Sequence, residues 1–263
     1  MNAAERLALG LVAAERTRRA NVAGAEVFEV DGLVLALANL PDPALSSVVV
    51  RRRPHEAHAA LSTAEAEFDR RGMRFGIDLQ AGRHPGLDEA IRSIGLTRMI
   101  ERPGMVADPR ALPHVPFPSG VEMLPVESPD DAEALVQVGV LAFGDDLTVG
   151  RAFYGAAALG SPHSKAFVAR RGDDPIGISA CYRHGRTIGV MGVGVVPGAR
   201  RRGVGAALTV HAARWYRDAD LVWLHPSDEA RSLYERLGFY TAADWEVWAR
   251  SPIRAGAAVG ERP

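Results

Sequence analysis

Two stretches in the second half of the chain hold residue types at spacings that can do chemistry. The first reads Val193-Gly194-Val195-Val196-Pro197-Gly198-Ala199-Arg200-Arg201-Arg202-Gly203-Val204-Gly205-Ala206. A strand-like run ends here, and a glycine-containing loop opens a helix-forming run. The first N–H groups of a helix have no partner inside it. With the helix dipole behind them they bind an anion well. Gly203 and Gly205 let a phosphate approach the main chain with no Cβ in the way. Arg200, Arg201 and Arg202 add guanidinium groups suited to phosphate oxygens. The segment therefore suits a pyrophosphate. A dinucleotide fingerprint is excluded, because the third glycine and a downstream strand-borne acid are missing. A P-loop is excluded, because no Gly-Lys-Ser/Thr follows. A tight turn with a solvated arginine run is the other reading of these residues.

The second stretch runs from Ser227 to Phe239. Ala230, Leu233, Tyr234 and Leu237 share one helix face by 3.6-residue spacing. By spacing alone Tyr234 is a core side chain.

The elements that must position these stretches follow from pattern and punctuation. Val121–Leu124 reads as a strand. Ser128 before Pro129, Asp130 and Asp131 starts a helix that runs to Phe143 and stops at Gly144. A second helical stretch covers 149–159. Strands Ala166–Arg170 and Ile176–Tyr182 flank a turn at Gly172–Pro175, and a third strand covers Arg186–Val196. Then come helix Val204–Asp218, strand Leu221–Leu224, helix Asp228–Leu237 and strand Trp245–Ala249. Glycines at 189, 192 and 194 weaken the third strand, as at a bulge or a close backbone approach.

The first half repeats this order. Helix Ala4–Thr17 precedes strands Glu26–Val30 and Leu33–Asn39, which meet at the hairpin signal Asp31-Gly32. Strand Ser47–Val50, helix His55–Arg70, strand Arg74–Leu79, helix Leu87–Ile94 and a strand near Met105 follow. Asp88-Glu89-Ala90 leading to Gly95-Leu96 echoes Asp228-Glu229-Ala230 leading to Gly238-Phe239. Between the halves, Asp108–Gly120 holds four prolines and a glycine, which reads as a linker. The expected division is 1–107, linker 108–120, 121–250 and a disordered tail 251–263.

The phrase V-x-P-x-x-R-x-x-G-x-G over Val195–Gly205, followed by A-x-x-x-Y-x-x-x-G-F over Ala230–Phe239, resembles the GNAT superfamily of acyl-CoA-dependent N-acetyltransferases. By element order the resemblance covers about Val121–Ala249. It implies an α/β fold of two tandem GNAT-like domains, each a mixed, mostly antiparallel sheet flanked by helices. It implies that N–H groups from Arg201 to Ala206 hold the pyrophosphate of acetyl-CoA, the co-substrate. It further implies that Val193, Gly194 and Val195 bind the pantetheine arm beside a cleft opened by a strand bulge. Ser227 stands where the family often has an Asn contacting that arm. Tyr234 stands where the family's tyrosine protonates the departing thiolate. A phenol of pKa about 10 can donate to a thiolate whose conjugate acid lies near about 8.5.

The reaction the resemblance implies is direct attack of a neutral amine on the thioester, helped by positioning, carbonyl polarisation and thiolate protonation. Many relatives deprotonate the amine with a Glu on the central strand. Residues 188–196 here contain no acid, so the base is unassigned. His225 is one candidate, and a histidine that merely caps a strand is the alternative. Asp145 and Asp146 lie where the family often binds its acceptor; a solvated helix start is the alternative.

In the first half the matching loop reads Val50-Arg51-Arg52-Arg53-Pro54-His55. It has arginines but no glycine, and Pro54 removes an N–H. Ile91 stands where Tyr234 would be. This half resembles a degenerate module that supports its partner and walls the acceptor site.

Composition narrows the classes. A net charge of −1 with dispersed arginines argues against nucleic acid or membrane partners. Cys181 is the only cysteine, which excludes a disulfide or a cysteine-built zinc site, and no metal is expected. The run Leu7–Ala14 is too short to span a membrane, so a cytoplasmic monomer or homodimer is expected. Three functions remain open: acetyl transfer to a small-molecule amine, acetyl transfer to a protein or peptide amine, and silent acyl-CoA binding or sensing.

Overall fold

The computed structural model describes residues 1–20, 22–38, 45–144, 146–151 and 161–250. Its frame is one sheet of eleven strands. The first half contributes α1 (Ala3–Arg19), β1 (Glu26–Val30), β2 (Leu33–Leu37), β3 (Ser47–Val50), α2 (Ala57–Asp69), β4 (Gly76–Gln80), α3 (Leu87–Ser93) and β5 (Thr97–Ala107). The second contributes β6 (Val121–Pro125), α4 (Pro129–Phe143), α5 (Leu147–Gly150), β7 (Ser164–Arg171), β8 (Asp174–His184), β9 (Thr187–Val195), α6 (Val204–Arg214), β10 (Leu221–Leu224), α7 (Asp228–Arg236) and β11 (Tyr240–Ala249). Both halves share the run of three strands, helix, strand, helix, strand. The repeat read from the sequence is therefore present in the fold.

The spatial order is β1-β2-β3-β4-β11-β5-β10-β9-β8-β7-β6. Each half's last strand lies beside the other half's sheet: β11 pairs with β4, and β5 pairs with β10. β5 and β11 pair with each other, antiparallel, from Tyr240↔Val106 to Ala249↔Thr97. This reciprocal exchange fuses two mixed, mostly antiparallel sheets into one. The two parallel contacts, β3 with β4 and β9 with β10, fall at equivalent places.

The exchange was the least legible part of the chain. β11 starts at Tyr240 rather than Trp245, and β5 begins at Thr97. Tyr240–Asp244 is Y-T-A-A-D, which offers no apolar run, and main-chain pairing with β5 holds it in the sheet. Helix α6 stops at Arg214 instead of Asp218, and a turn closed from Ala219 N–H to the Tyr216 carbonyl follows. The helix expected over 149–159 and the tail 251–263 fall largely or wholly outside the described residues.

Helices cover both faces of the sheet. On one face α2, α3, α6 and α7 pack on side chains such as Leu35, Ile77, Ile188 and Val222. On the other, α1 and α4 pack on Val34, Trp223, Trp245, Val168 and Ile178. Alternation along a strand assigns each residue: Val222 and Leu224 face α6 and α7, while Trp223 faces α1. α1 belongs to the first half but touches β8 and β9 of the second. Arg6 ties it down, donating to the Thr187 hydroxyl at 3.0 Å and pairing with Asp220. Helix α4 begins as its sequence dictates, with Ser128 and Asp131 capping each other, and ends at Gly144 in the left-handed region. No described helix is long and apolar enough to cross a membrane.

Candidate active site

The site is built where β9 parts from β10. Their parallel ladder joins Thr187, Ile188 and Gly189 to Leu221, Val222 and Trp223, then stops. β9 runs on to Val195 while still paired to β8. Its other edge, from Val190 to Val195, is left without a strand partner. The cause is local. Met191 pairs with Ala180 and Gly194 with Ile178, so Gly192 and Val193 together face Ser179. This is a β-bulge, which bends a strand, and Gly192 takes φ +62° to make it. Gly194 is needed for packing, since a Cβ there would sit 2.7 Å from Phe143 Cζ at the end of α4.

The bulged strand leads into the anion loop. Pro197–Ala199 forms a single 3-10 turn, and α6 starts at Val204 with Gly203 (φ +85°) as its N-cap. The first α6 N–H with a helical acceptor is Ala207, bonded to the Gly203 carbonyl at 3.1 Å. Among the described residues no carbonyl or side chain accepts from the N–H groups of Arg201, Arg202, Gly203, Val204, Gly205 or Ala206. Arg201 itself has φ +59°, which turns its N–H into the same concavity. Arg201 and Arg202 are exposed and make no ion pair with any described residue. Six donors and two guanidinium groups thus converge with no acceptor of their own.

Arg200 does a different job. Its guanidinium donates to the Val195 carbonyl and to the Ala142 carbonyl, both at 3.0 Å. It braces the loop against the C-terminus of α4. A phosphate would meet Arg201 and Arg202 rather than the Arg200 side chain.

Tyr234 projects from α7 into the core on the α6 side, 5.9 Å from the Phe239 ring. Its hydroxyl lies beside Thr209, whose own hydroxyl donates to the Gly205 carbonyl at 2.8 Å. Burial pushes the phenol up to about 12, with the Thr209 contact pulling the other way. The phenol is therefore protonated at every working pH. Thr209 was missed in the sequence; its place one turn after Gly205 was the available signal. Ser227 is exposed at the N-cap of α7, and its hydroxyl makes no cap bond.

His225 lies on the other face, just past the last paired residue of β10. Its Nδ1 contacts the Pro103 carbonyl at 3.2 Å, so Nδ1 carries the hydrogen. Nε2 is buried and has no hydrogen-bond partner among the described residues. The ring stands edge-on to Trp223 and Trp245, at 5.8 and 5.3 Å. Burial first, and then the Arg102 charge, hold it well below the usual histidine range. Asp146 is exposed and accepts from the Thr148 N–H at 2.9 Å; Asp145 lies outside the described residues. No cluster of three or more His, Cys, Asp or Glu able to hold a metal occurs among the described residues.

The first half's matching junction is filled. Asp31, from the β1–β2 turn, accepts from the backbone N–H groups of His55 at 2.6 Å and Glu56 at 3.2 Å, and contacts His55 Nδ1 at 2.7 Å. Arg51 forks onto Glu29 at 2.9 and 2.7 Å, and Arg52 reaches Asp31 at 3.2 Å. Ile91 is fully buried in the first-half core.

Comparison with known proteins agrees with this geometry. Residues 141–239 match the model of the Acetyltransferase (GNAT) family. A GCN5-related N-acetyltransferase from Kribbella flavida aligns at TM-score 0.75 and 25% identity, over 95% of this chain and 96% of its own. A tandem GNAT protein from the clavulanic acid biosynthesis pathway aligns at TM-score 0.59 and 15% identity, over 84% of this chain and 79% of its own. A GCN5-related N-acetyltransferase from Sphaerobacter thermophilus aligns at TM-score 0.58 and 16% identity, over 98% and 97%. No curated protein sequence matches.

Proposed function

We propose, for a chain whose residues 141–239 match the GNAT acetyltransferases and whose fold is the tandem GNAT fold, that it transfers an acetyl group from acetyl-CoA to a primary amine of a small molecule or amino-acid derivative. One observation carries this reading: the edge of β9 left unpaired by β10 runs straight into the nest of N–H groups from Arg201 to Ala206, which have no acceptor among the described residues. A strand edge suits an extended amide-bearing arm, and the nest suits the pyrophosphate at its end. Val193, Gly194 and Val195 would hold the arm, and Ser227 would reach it with its free hydroxyl. The thioester would then lie where β9 and β10 separate.

Tyr234 supplies a hydrogen bond to the sulfur as the C–S bond breaks. Its high pKa makes it a steady donor rather than a group that gives its proton away outright. No metal enters this scheme. An amine approaching from the face opposite Tyr234 would pass α1 and α4, which pack on that face, and this favours a small amine over a folded protein. We place this activity in the cytoplasm, in a monomer or homodimer.

Calorimetry with acetyl-CoA on the whole protein should give micromolar binding, and thiol release across a panel of primary amines should follow. No heat and no thermal shift would overturn the proposal. A silent acyl-CoA binder is the second reading, favoured by the lack of any acid on β9. Binding without thiol release from any amine would decide for it.

A further inference from the structure

We propose that His225 accepts the amine proton, in a site that both halves of the chain build. This rests on the transferase reading above and supplies the base that β9 lacks.

Position comes first. The last rung between β9 and β10 is Gly189 with Trp223, so His225 stands two residues into the gap. Continuing the same register, it would face Met191 across the cleft. Tyr234 and the anion nest lie with α6 and α7 on one face of the sheet. His225 lies with Trp223 and Trp245 on the face covered by α1. A thioester lodged in the gap would show its sulfur to Tyr234 and its carbonyl carbon to the opposite face. Acid and base then stand on opposite sides of the reacting carbon, as attack and departure require.

The tautomer comes second. The Pro103 carbonyl takes the Nδ1 hydrogen, which leaves the lone pair on Nε2. That atom is buried and has no hydrogen-bond partner among the described residues. Leaving a buried acceptor unmet is unfavourable, and an apolar side chain in this place would not incur that cost. The cost is repaid if an amine N–H binds there.

The surroundings come third, and they come from the first half. Pro103 and Arg102 are on β5; Arg102 is held by Asp78 of β4 at 2.5 Å. Among the other charged groups that α1 brings to this face, Glu15 pairs with Arg18 and Arg19, and Arg6 pairs with Asp220. Arg102 is the one that bears on His225. The Arg102 guanidinium repels an ammonium and burial penalises its charge, whereas a neutral amine is admitted. The same two effects also keep the imidazole unprotonated, ready to accept.

The step balances. The neutral amine nitrogen forms the C–N bond, and its surplus proton passes to His225 Nε2. The C–S bond breaks, and the sulfur leaves as thiolate hydrogen-bonded to Tyr234. The proton on His225 returns to solvent, and solvent supplies the one that completes the thiol.

The test is His225→Asn, whose amide N–H can still donate to Pro103 but which has no Nε2. It should bind acetyl-CoA as the wild type does by calorimetry. Thiol release with the best amine of the panel should fall roughly 100-fold or more. In the wild type kcat/KM should drop on an acid limb lying below 6.5, the ordinary histidine value, and the variant should lose that limb. Nitrogen-15 NMR of histidine-labelled wild type provides a readout independent of turnover. It should show a neutral Nδ1–H imidazole at pH 6.5 that shifts when acetyl-CoA is added. Wild-type turnover and an unchanged acid limb in His225→Asn would overturn the assignment alone. A wild type that fails to bind acetyl-CoA, or binds it and releases no thiol with any amine, would overturn the transferase reading and this inference with it. If His225→Asn does not fold, an Nε2–H tautomer in the NMR spectrum overturns the assignment, and the Nδ1–H form with a ligand shift supports it.

Discussion

The β3–α2 junction and the β9–α6 junction hold equivalent places in the two halves, yet they have opposite fates. β3 has four residues, three of them paired to β4, so no gap opens. β9 has nine residues, three of them paired to β10, and the rest forms one wall of a cleft. At the end of β9 the first N–H groups of α6 have no acceptor among the described residues. At the end of β3 those of His55 and Glu56 are already taken by Asp31. The physics of a helix N-terminus is the same in both: it asks for an anion. One half answers with its own carboxylate, and in the other no described group fills that place. A degenerate module is thus more than a module that lost its glycines. It has satisfied internally the demand that its twin presents to solvent.

The sharpest way to break the comparison is to spoil the open junction. Gly203 sits at φ +85°, and a Cβ there would meet nothing closer than Pro118 Cγ at 3.9 Å. Gly203→Val therefore has room but takes strain of about 1–2 kcal/mol. It also puts a branched side chain into the nest. Acetyl-CoA affinity should fall about 100-fold, the equivalent of one or two charge-assisted bonds of about 1.5–3 kcal/mol each. The measurement is calorimetric titration beside a melting curve; full affinity in Gly203→Val would mean that the pyrophosphate sits elsewhere.

Tyr234→Phe comes next in size. It gives the second half an apolar side chain where the first half has Ile91. Turnover should fall roughly 10- to 100-fold while acetyl-CoA affinity holds. The phenol stands at about 12, so the rate profile of the wild type should show no basic limb from Tyr234 below that value. Equal turnover in both proteins would return Tyr234 to the core.

How much of this was legible beforehand follows a physical line. The nest was legible because strand, glycine loop and helix are contiguous, and local geometry alone sets the unmet N–H groups. Tyr234 was legible as a helix-face residue, but its tie to Thr209 was not, since that contact joins two helices. Arg200 looked like its neighbours Arg201 and Arg202. Its difference arises from the α4 carbonyl it reaches, 58 positions away in sequence. The exchange of β5 and β11 was hidden for the same reason, because strand pairing across halves leaves no periodic trace. Asp31 read only as a hairpin turn, and nothing local told that the turn would fold back onto a helix start.

Smaller effects should follow from opening the closed junction. Asp31 is held down to about 2, chiefly by its hydrogen bond with His55 and further by the N–H groups it accepts from. Its carboxylate is thus favoured in the folded state. That contribution is complete above 3.8, the ordinary value, and is lost as pH falls through about 2. Asp31→Ala should melt a few degrees below the wild type at neutral pH. The two melting curves should converge between those pH values. Inorganic phosphate should then raise the melting temperature of Asp31→Ala more than that of the wild type, because the His55 and Glu56 N–H groups are freed. An identical response to phosphate would show that the carboxylate is not standing in for an anion.

The smallest effect expected is on ligand binding when the first-half arginines are removed. Arg51 and Arg52 are spent on Glu29 and Asp31, so they have no free guanidinium to offer a phosphate. Replacing Arg51, Arg52 and Arg53 together by Ala should lower the melting temperature, through loss of the Glu29 fork, and leave acetyl-CoA affinity where it was. The same variant set on the open junction, Arg201→Ala with Arg202→Ala, should weaken affinity with no loss of stability, since those side chains hold nothing in the free protein. The contrast is the point of measurement: removing the first-half arginines costs stability, and removing the second-half pair costs binding. If the first-half triple variant lost as much affinity as Gly203→Val, both junctions would be ligand sites, and Asp31 would have to leave its place for one of them to fill.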